Sequence, residues 1–114
     1  MANVYYNPEK FGLTVVGELN DPWASYDFND LVVWKHEEGG VYWATDSGCS
    51  CPTPFETYNS LDDLHEVTAA SWSEFQQAVE GHCARTYGMD ASAPDPQAAD
   101  KTDLLRKVSA LVPF

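Results

Sequence analysis

The chain is expected to adopt an α+β fold: a three-stranded antiparallel meander packed with two or three helices in a single domain. Three observations carry this expectation. Two strand-like apolar runs, Tyr26–His36 and Val41–Thr45, are separated only by Glu37-Glu38-Gly39-Gly40. Beyond residue 59 the apolar residues stop alternating and fall at helical spacing instead. Finally, 114 residues, 44% of them hydrophobic, can bury one core but are too few for two ordinary domains.

The first strand is read over Phe11–Leu19, where Leu13, Val15, Val16 and Leu19 lie between Gly12 and the turn signal Asn20-Asp21-Pro22. In the second, Tyr26 and Phe28 alternate with Asp27 and Asn29 before Leu31-Val32-Val33-Trp34 runs continuously apolar. That change predicts either a bulge near Asp30 or burial of both faces beyond it. Glu37–Gly40 supplies a hairpin connection in which glycine can take positive φ, and Val41–Thr45 returns as the third strand. Of the aromatic residues, Trp34, Tyr42 or Trp43 is assigned to the core on one sheet face. The other face is left as a candidate contact patch, and Trp23 and Tyr26 flank a proline turn.

Asn59-Ser60-Leu61-Asp62-Asp63-Leu64 sets a capping residue before acidic first-turn positions, as a short helix requires. Ser71-Trp72-Ser73-Glu74 reads as a capping box opening an amphipathic helix on Trp72, Phe75, Val79 and Cys83 that ends near Thr86–Gly88. Residues 88–100 are small, polar and broken by proline, which makes them a linker or long loop between a core of residues 1–87 and a last helix over 101–114. On that helix Leu104, Leu105, Val108, Leu111 and Val112 form the apolar face, with Lys101, Arg106 and Lys107 assigned to the other side. It would dock on the core or on a second protomer, and a homodimer is expected on that ground.

The 18 acidic residues outnumber 6 lysines and arginines, and half of them fall between His36 and Ala84, where there is no lysine or arginine. Such a surface repels phosphates, which argues against direct binding of nucleic acid or anionic membrane and favours a basic protein partner. The opening residues have neither a basic nor an apolar leader segment, and no run approaches the length of a membrane span. A cytoplasmic location is therefore expected. Three cysteines cannot all pair within one chain, which agrees with a reducing compartment.

The densest grouping of reactive side chains is Asp46-Ser47-Gly48-Cys49-Ser50-Cys51, followed by Pro52, Pro54 and Glu56; Asp46, Ser47, Gly48, Cys49, Ser50, Cys51 and Glu56 are the binding-loop candidates. Cys49 and Cys51 could hold zinc together with His82 and Cys83, because thiolate and imidazole are its usual ligands. One intervening residue is a short bite for a zinc pair, and adjacent residues on a helix project about 100° apart. The alternative reading makes Cys49 and Cys51 small loop residues and Cys83 core. No resident cofactor is otherwise indicated. A thiolate nucleophile at Cys49 or Cys51, with His36, His65 or His82 as base and Asp46 or Glu56 orienting it, is opposed by the acidic surroundings, which raise a thiol's pKa. A carboxylate cluster of Asp46, Glu56, Asp62, Asp63 and Glu66 lacks the spacing of a calcium loop. Phosphate-loop and dinucleotide fingerprints are missing too.

The string Tyr5-Tyr6-Asn7-Pro8-Glu9-Lys10-Phe11-Gly12-Leu13, then Tyr26-x-Phe28, Val33-Trp34, Tyr42-Trp43 and Asp46-Ser47-Gly48-Cys49-Ser50-Cys51-Pro52-x-Pro54-Phe55-Glu56, resembles a group of small uncharacterised acidic proteins of actinobacteriophages and their hosts. The likeness runs through Leu61-Asp62-Asp63-Leu64 and brings no catalytic residue with it. It implies a protein of the phage's cytoplasmic phase with a host-directed role. The leading expectation is a non-enzymatic accessory protein that binds a host macromolecule, a basic protein, through an acidic, aromatic-bearing surface. A zinc- or small-ligand-binding module on the Cys49–Cys51 loop is the second, and a hydrolase or transferase using that loop the third.

Overall fold

The residues flanking Glu37–Gly40 fold back on one another as a hairpin. Strand β2 (Asp27–His36) pairs antiparallel with β3 (Val41–Cys49), from Lys35 opposite Val41 to Asp27 opposite Cys49. The turn is closed by His36 N–H donating to the Gly40 carbonyl and Gly39 N–H to the His36 carbonyl, both at 3.0 Å. Gly39 and Gly40 take φ of +103° and +83°, a region that costs a residue with a Cβ roughly 1–2 kcal/mol. The computed structural model describes residues 3–20, 27–49, 55, 58, 60–82 and 98–112; the turn expected at Asp21-Pro22, Trp23, Tyr26 and most of the 88–100 linker lie outside them. β3 runs past the expected end at Thr45, because the ladder tolerates polar Asp46 and Ser47.

The sheet has four strands, not three. β1 (Leu13–Leu19) pairs with β2, and a two-residue β4 (His65–Glu66) pairs with Tyr42 and Trp43, giving the meander order β1-β2-β3-β4. Two residues are too few to show a period, so β4 left no mark in the apolar pattern. The bulge is also in a different place. β2 pairs with β3 without interruption past Asp30, and the irregularity lies in β1, where Val15 opposes Trp34 and Gly17 opposes Val33, leaving Val16 as the extra residue. Its consequence is geometric: cross-strand partners share a face, so Leu13 joins the Trp34 face and Leu19 the Leu31 face although both are odd-numbered.

Leu31–Trp34 is continuously apolar because both sheet faces are buried. Leu31, Val33, Val41 and Trp43 face one cluster, completed by Phe75, Val79, Leu104 and Val108 from two helices. Val32, Trp34 and Ala44 face the other, with Val4, Leu13, Phe55 and Leu64. The face that the sequence left open as a contact patch is therefore covered, by Val4 and Tyr5 of the N-terminal segment and by Phe55, Tyr58, Leu61 and Leu64.

Helix α1 (Trp72–Gly81) buries Phe75 and Val79, and its start differs from expectation. Ser71 makes no side-chain cap to α1; the reciprocal pair lies one turn earlier, where Thr68 Oγ1 accepts from Ser71 N–H and Ser71 Oγ accepts from Thr68 N–H, at 3.1 and 2.9 Å. Ser71 Oγ also donates to the Glu66 carbonyl at 2.8 Å, tying β4 to the helix. α1 stops at Gly81, short of Thr86; residues 83–97, Cys83 among them, lie outside the described ones. Asn59 also lies outside them, but Ser60 caps the single 3-10 turn Leu61–Asp63 by accepting from Asp62 N–H at 3.1 Å.

Helix α2 (Ala98–Leu111) begins three positions before the expected residue 101 and lies on β1. A methyl group on Gly17 would come within 2.9 Å of Leu104 Cδ1, so the bulged strand and the helix meet where β1 has no side chain. No helix among the described residues is long and apolar enough to cross a membrane. Gly17→Val is expected to overpack this junction and lower unfolding free energy by about 1–3 kcal/mol in urea titration; an unchanged midpoint would mean that α2 does not seat on β1 as described.

Candidate functional site

The element from Asp46 to Glu56 divides into parts with different fates. Asp46 is half-buried on β3, and its Oδ2 accepts the Phe55 N–H at 2.7 Å. Ser47 is exposed opposite Asn29, and the backbones of Gly48 and Cys49 pair with Phe28 and Asp27 at the end of the sheet. Ser50, Cys51, Pro52, Pro54 and Glu56 lie outside the described residues.

Phe55 is the centre of the covered face. It is fully buried with φ of +59°, stacks on Tyr5 at 5.1 Å, and meets Trp34 and Tyr58 edge-on at 5.8 and 5.1 Å. Its carbonyl accepts from the Asn3 side-chain amide and from Tyr58 N–H. Asn3 Oδ1 in turn accepts from the N–H groups of Tyr5 and Tyr6, and Tyr58 donates its hydroxyl to the Thr45 carbonyl at 3.0 Å. The Trp34 indole N–H, in the same cluster, is buried and has no hydrogen-bond partner among the described residues.

Carboxylates crowd one end of this face. Asp30 and Asp46 are direct cross-strand neighbours, an arrangement that is unfavourable for like charges. Each has a donor: Asn20 Nδ2 gives a 2.8 Å hydrogen bond to Asp30 Oδ1, and the Phe55 N–H serves Asp46. The Tyr5 phenol is pushed up to about 12 by burial first, then by the charges of Glu18 and Asp30 and a hydrogen bond to Glu18. Tyr58 is also raised, by burial and then by Asp46 and Asp63.

The histidines do not converge as a catalytic or metal centre would need. His36 Nδ1 accepts from Glu38 N–H in the hairpin turn, and its ring lies edge-on to Tyr42 at 6.3 Å. His65 lies over Trp43 at 4.7 Å. His82 is buried at the end of α1, with Nε2 donating to the Asn29 carbonyl at 2.9 Å. Asn29 pairs with Ser47, so the fold brings His82 and Cys49 to the same end of the sheet, but a zinc role for His82 would have to use Nδ1. Among the described residues no three His, Cys, Asp or Glu side chains gather as metal ligands, and two of the four zinc candidates, Cys51 and Cys83, lie outside those residues.

One feature escaped the sequence reading. Lys101 is not on the solvent side of α2. It is 4% exposed, and its Nζ donates to the carbonyls of Glu80 and His82 at 3.0 and 2.9 Å, placing an ammonium on the negative end of α1. Its spacing to Leu104 and Val108, i, i+3, i+7, is that of the buried stripe and could have found it. The acidic stretch between His36 and Ala84 contributes exposed carboxylates. Glu37 and Glu38 at the turn, Asp62 and Asp63 before β4, and Glu66 on β4 are all exposed. Glu66 sits opposite Tyr42 on β4 and Asp62 and Asp63 lie in the turn just before it, whereas Glu37, whose N–H donates to the Gly12 carbonyl, packs its side chain over Gly12 beside β1.

A small α+β domain with both sheet faces filled and an acidic edge is the class these features define. Residues 2–109 match the family described as a domain of unknown function, DUF7574, and the chain belongs to that family. No match is found among curated proteins or among solved structures.

Two expected outcomes follow. Asp46→Ala leaves the Phe55 N–H without its acceptor and should cost about 1–3 kcal/mol in thermal or urea unfolding, with Ser47→Ala as a near-neutral control. For Tyr5, the folded pKa of about 12 lies above the reference value of 10.0. Its contribution is therefore complete below pH 10 and lost as pH rises through about 12, so stability should fall across that window and Tyr5→Phe should reduce the slope.

Proposed function

We propose that this protein is a non-enzymatic, phage-type accessory domain that binds a basic host protein through the acidic β3–β4 edge. The observation that supports this reading is the charge of that edge and the adjoining turn: Glu38, Asp62, Asp63 and Glu66 are exposed there, and no lysine or arginine occurs between His36 and Ala84. Tyr42 and His65 lie among these carboxylates and give the margin an aromatic component. Like-signed charges held along one edge attract an oppositely charged surface from a distance and speed encounter, an effect that salt screens. The same charges oppose nucleic acid and anionic lipid.

The test compares the protein with a variant carrying Glu38→Gln, Asp62→Asn, Asp63→Asn and Glu66→Gln, each immobilised in actinobacterial lysate. A basic protein retained by the unmodified domain at low salt, released at high salt and not held by the variant is the expected result. Retention that ignores both salt and the substitutions would refute the reading.

A further inference from the structure

Beside the acidic edge, a groove of about 290 Å³ opens where β3 and β4 meet the end of α2. Val41, Val67, Ala69, Leu111 and Val112 line it, with Glu66 among them. Leu111 is 37% exposed although it follows Leu104 and Val108 on the apolar stripe of α2, while Val112 beside it is half-buried against the core. The volume lies at the lower bound of small-molecule sites, roughly 300–1,000 Å³, and suits one side chain better than a cofactor.

The charge around the groove restricts what can enter. Glu66 is one wall, and its Oε2 would lie 3.6 Å from a methyl group on Gly40, in the turn that also exposes Glu38; the Glu37 side chain turns the other way, onto Gly12. Lys35, opposite Val41, is the sheet's single basic residue among those described. An apolar floor walled by the Glu66 carboxylate, with Glu38 exposed in the adjoining turn, complements a segment in which an apolar side chain is flanked by lysine or arginine.

We propose that this groove is the anchor point of the basic partner, taking one leucine-sized side chain while flanking basic residues meet Glu66 and Glu38. The inference rests on the acidic-edge reading and adds to it a salt-independent contact and a sequence preference. Such an arrangement follows the general anatomy of interfaces, an apolar anchor within a charged rim.

The experiment measures fluorescence anisotropy with two labelled peptides of equal charge, Lys-Lys-Arg-Gly-Leu-Gly-Arg-Lys-Lys and the same peptide with serine in place of leucine. The leucine peptide should bind roughly tenfold tighter, and the difference should persist at raised salt while both affinities fall. Ala69→Trp, which fills the groove from an exposed position, should remove the difference but leave the serine peptide's affinity unchanged. Leu111→Ser, also exposed, tests the same point should the tryptophan variant not fold. Equal affinities for the two peptides, or a preference that survives both variants, would overturn the groove and leave the acidic edge standing. Binding of neither peptide would remove both.

Discussion

Phe55 sits in the left-handed backbone region, with its N–H on the Asp46 carboxylate and its carbonyl on the Asn3 amide. Left-handed backbone costs a non-glycine residue roughly 1–2 kcal/mol, and something must offset it. Full burial of the phenyl ring contributes about 1.5–3 kcal/mol, and a hydrogen bond to a charged acceptor about 1.5–3 more. The conformation is thus over-determined, and it fixes two segments at once. It turns the chain after β3 back over Val32 and Trp34, and through Asn3 it holds the N-terminal segment against the same surface. Without it, one face of the sheet would have no cover, and Trp34 and Tyr5 would lose the ring on which both pack.

The β1 bulge is the corresponding device on the other side. A regular strand would send Leu13 and Leu19 to the same face, and one cluster would lose its member from β1. The extra residue at Val16 lets one short strand serve both layers, and Gly17 beside it admits α2 to the backbone. Neither the register shift nor the close approach leaves a period in the sequence. The hairpin was legible because the Glu-Glu-Gly-Gly turn and the apolar runs on either side point the same way. The continuous run Leu31–Trp34 announced two-sided burial, but what covers the second side comes from residues distant in sequence, which no local pattern encodes.

The candidate loop was legible as a concentration of polar groups and not as a use for them. Asp46 is a strand residue whose carboxylate satisfies a backbone N–H nine residues on, a role that its spacing to Phe55 does not reveal. Phe55, read in the sequence only as part of a motif, is the residue around which that motif folds. Lys101 shows the converse. Composition placed it among solvent-facing charges, whereas periodicity placed it in the buried stripe, and periodicity prevails because the carbonyls ending α1 supply partners for the ammonium. His82 is likewise tied to a main-chain carbonyl, so its burial is explained by the joint between α1 and β2 before any ligand is invoked.

An acidic strand edge has an ordinary explanation, since charge on an exposed edge keeps one sheet from pairing with another. That explanation accounts for Glu66 on a two-residue β4, where a single carboxylate and a short strand already discourage pairing. It does not account for Glu38, in the hairpin turn, or for Asp62 and Asp63 in a 3-10 turn. Gathering these carboxylates along one margin raises their mutual repulsion, which a domain seeking solubility alone would reduce by spreading charge of both signs. With both sheet faces filled, the edges and the ends of the sheet are where this domain can meet another molecule. The β3–β4 edge combines concentrated charge with an adjoining apolar groove, and that pairing gives it the stronger claim to recognition.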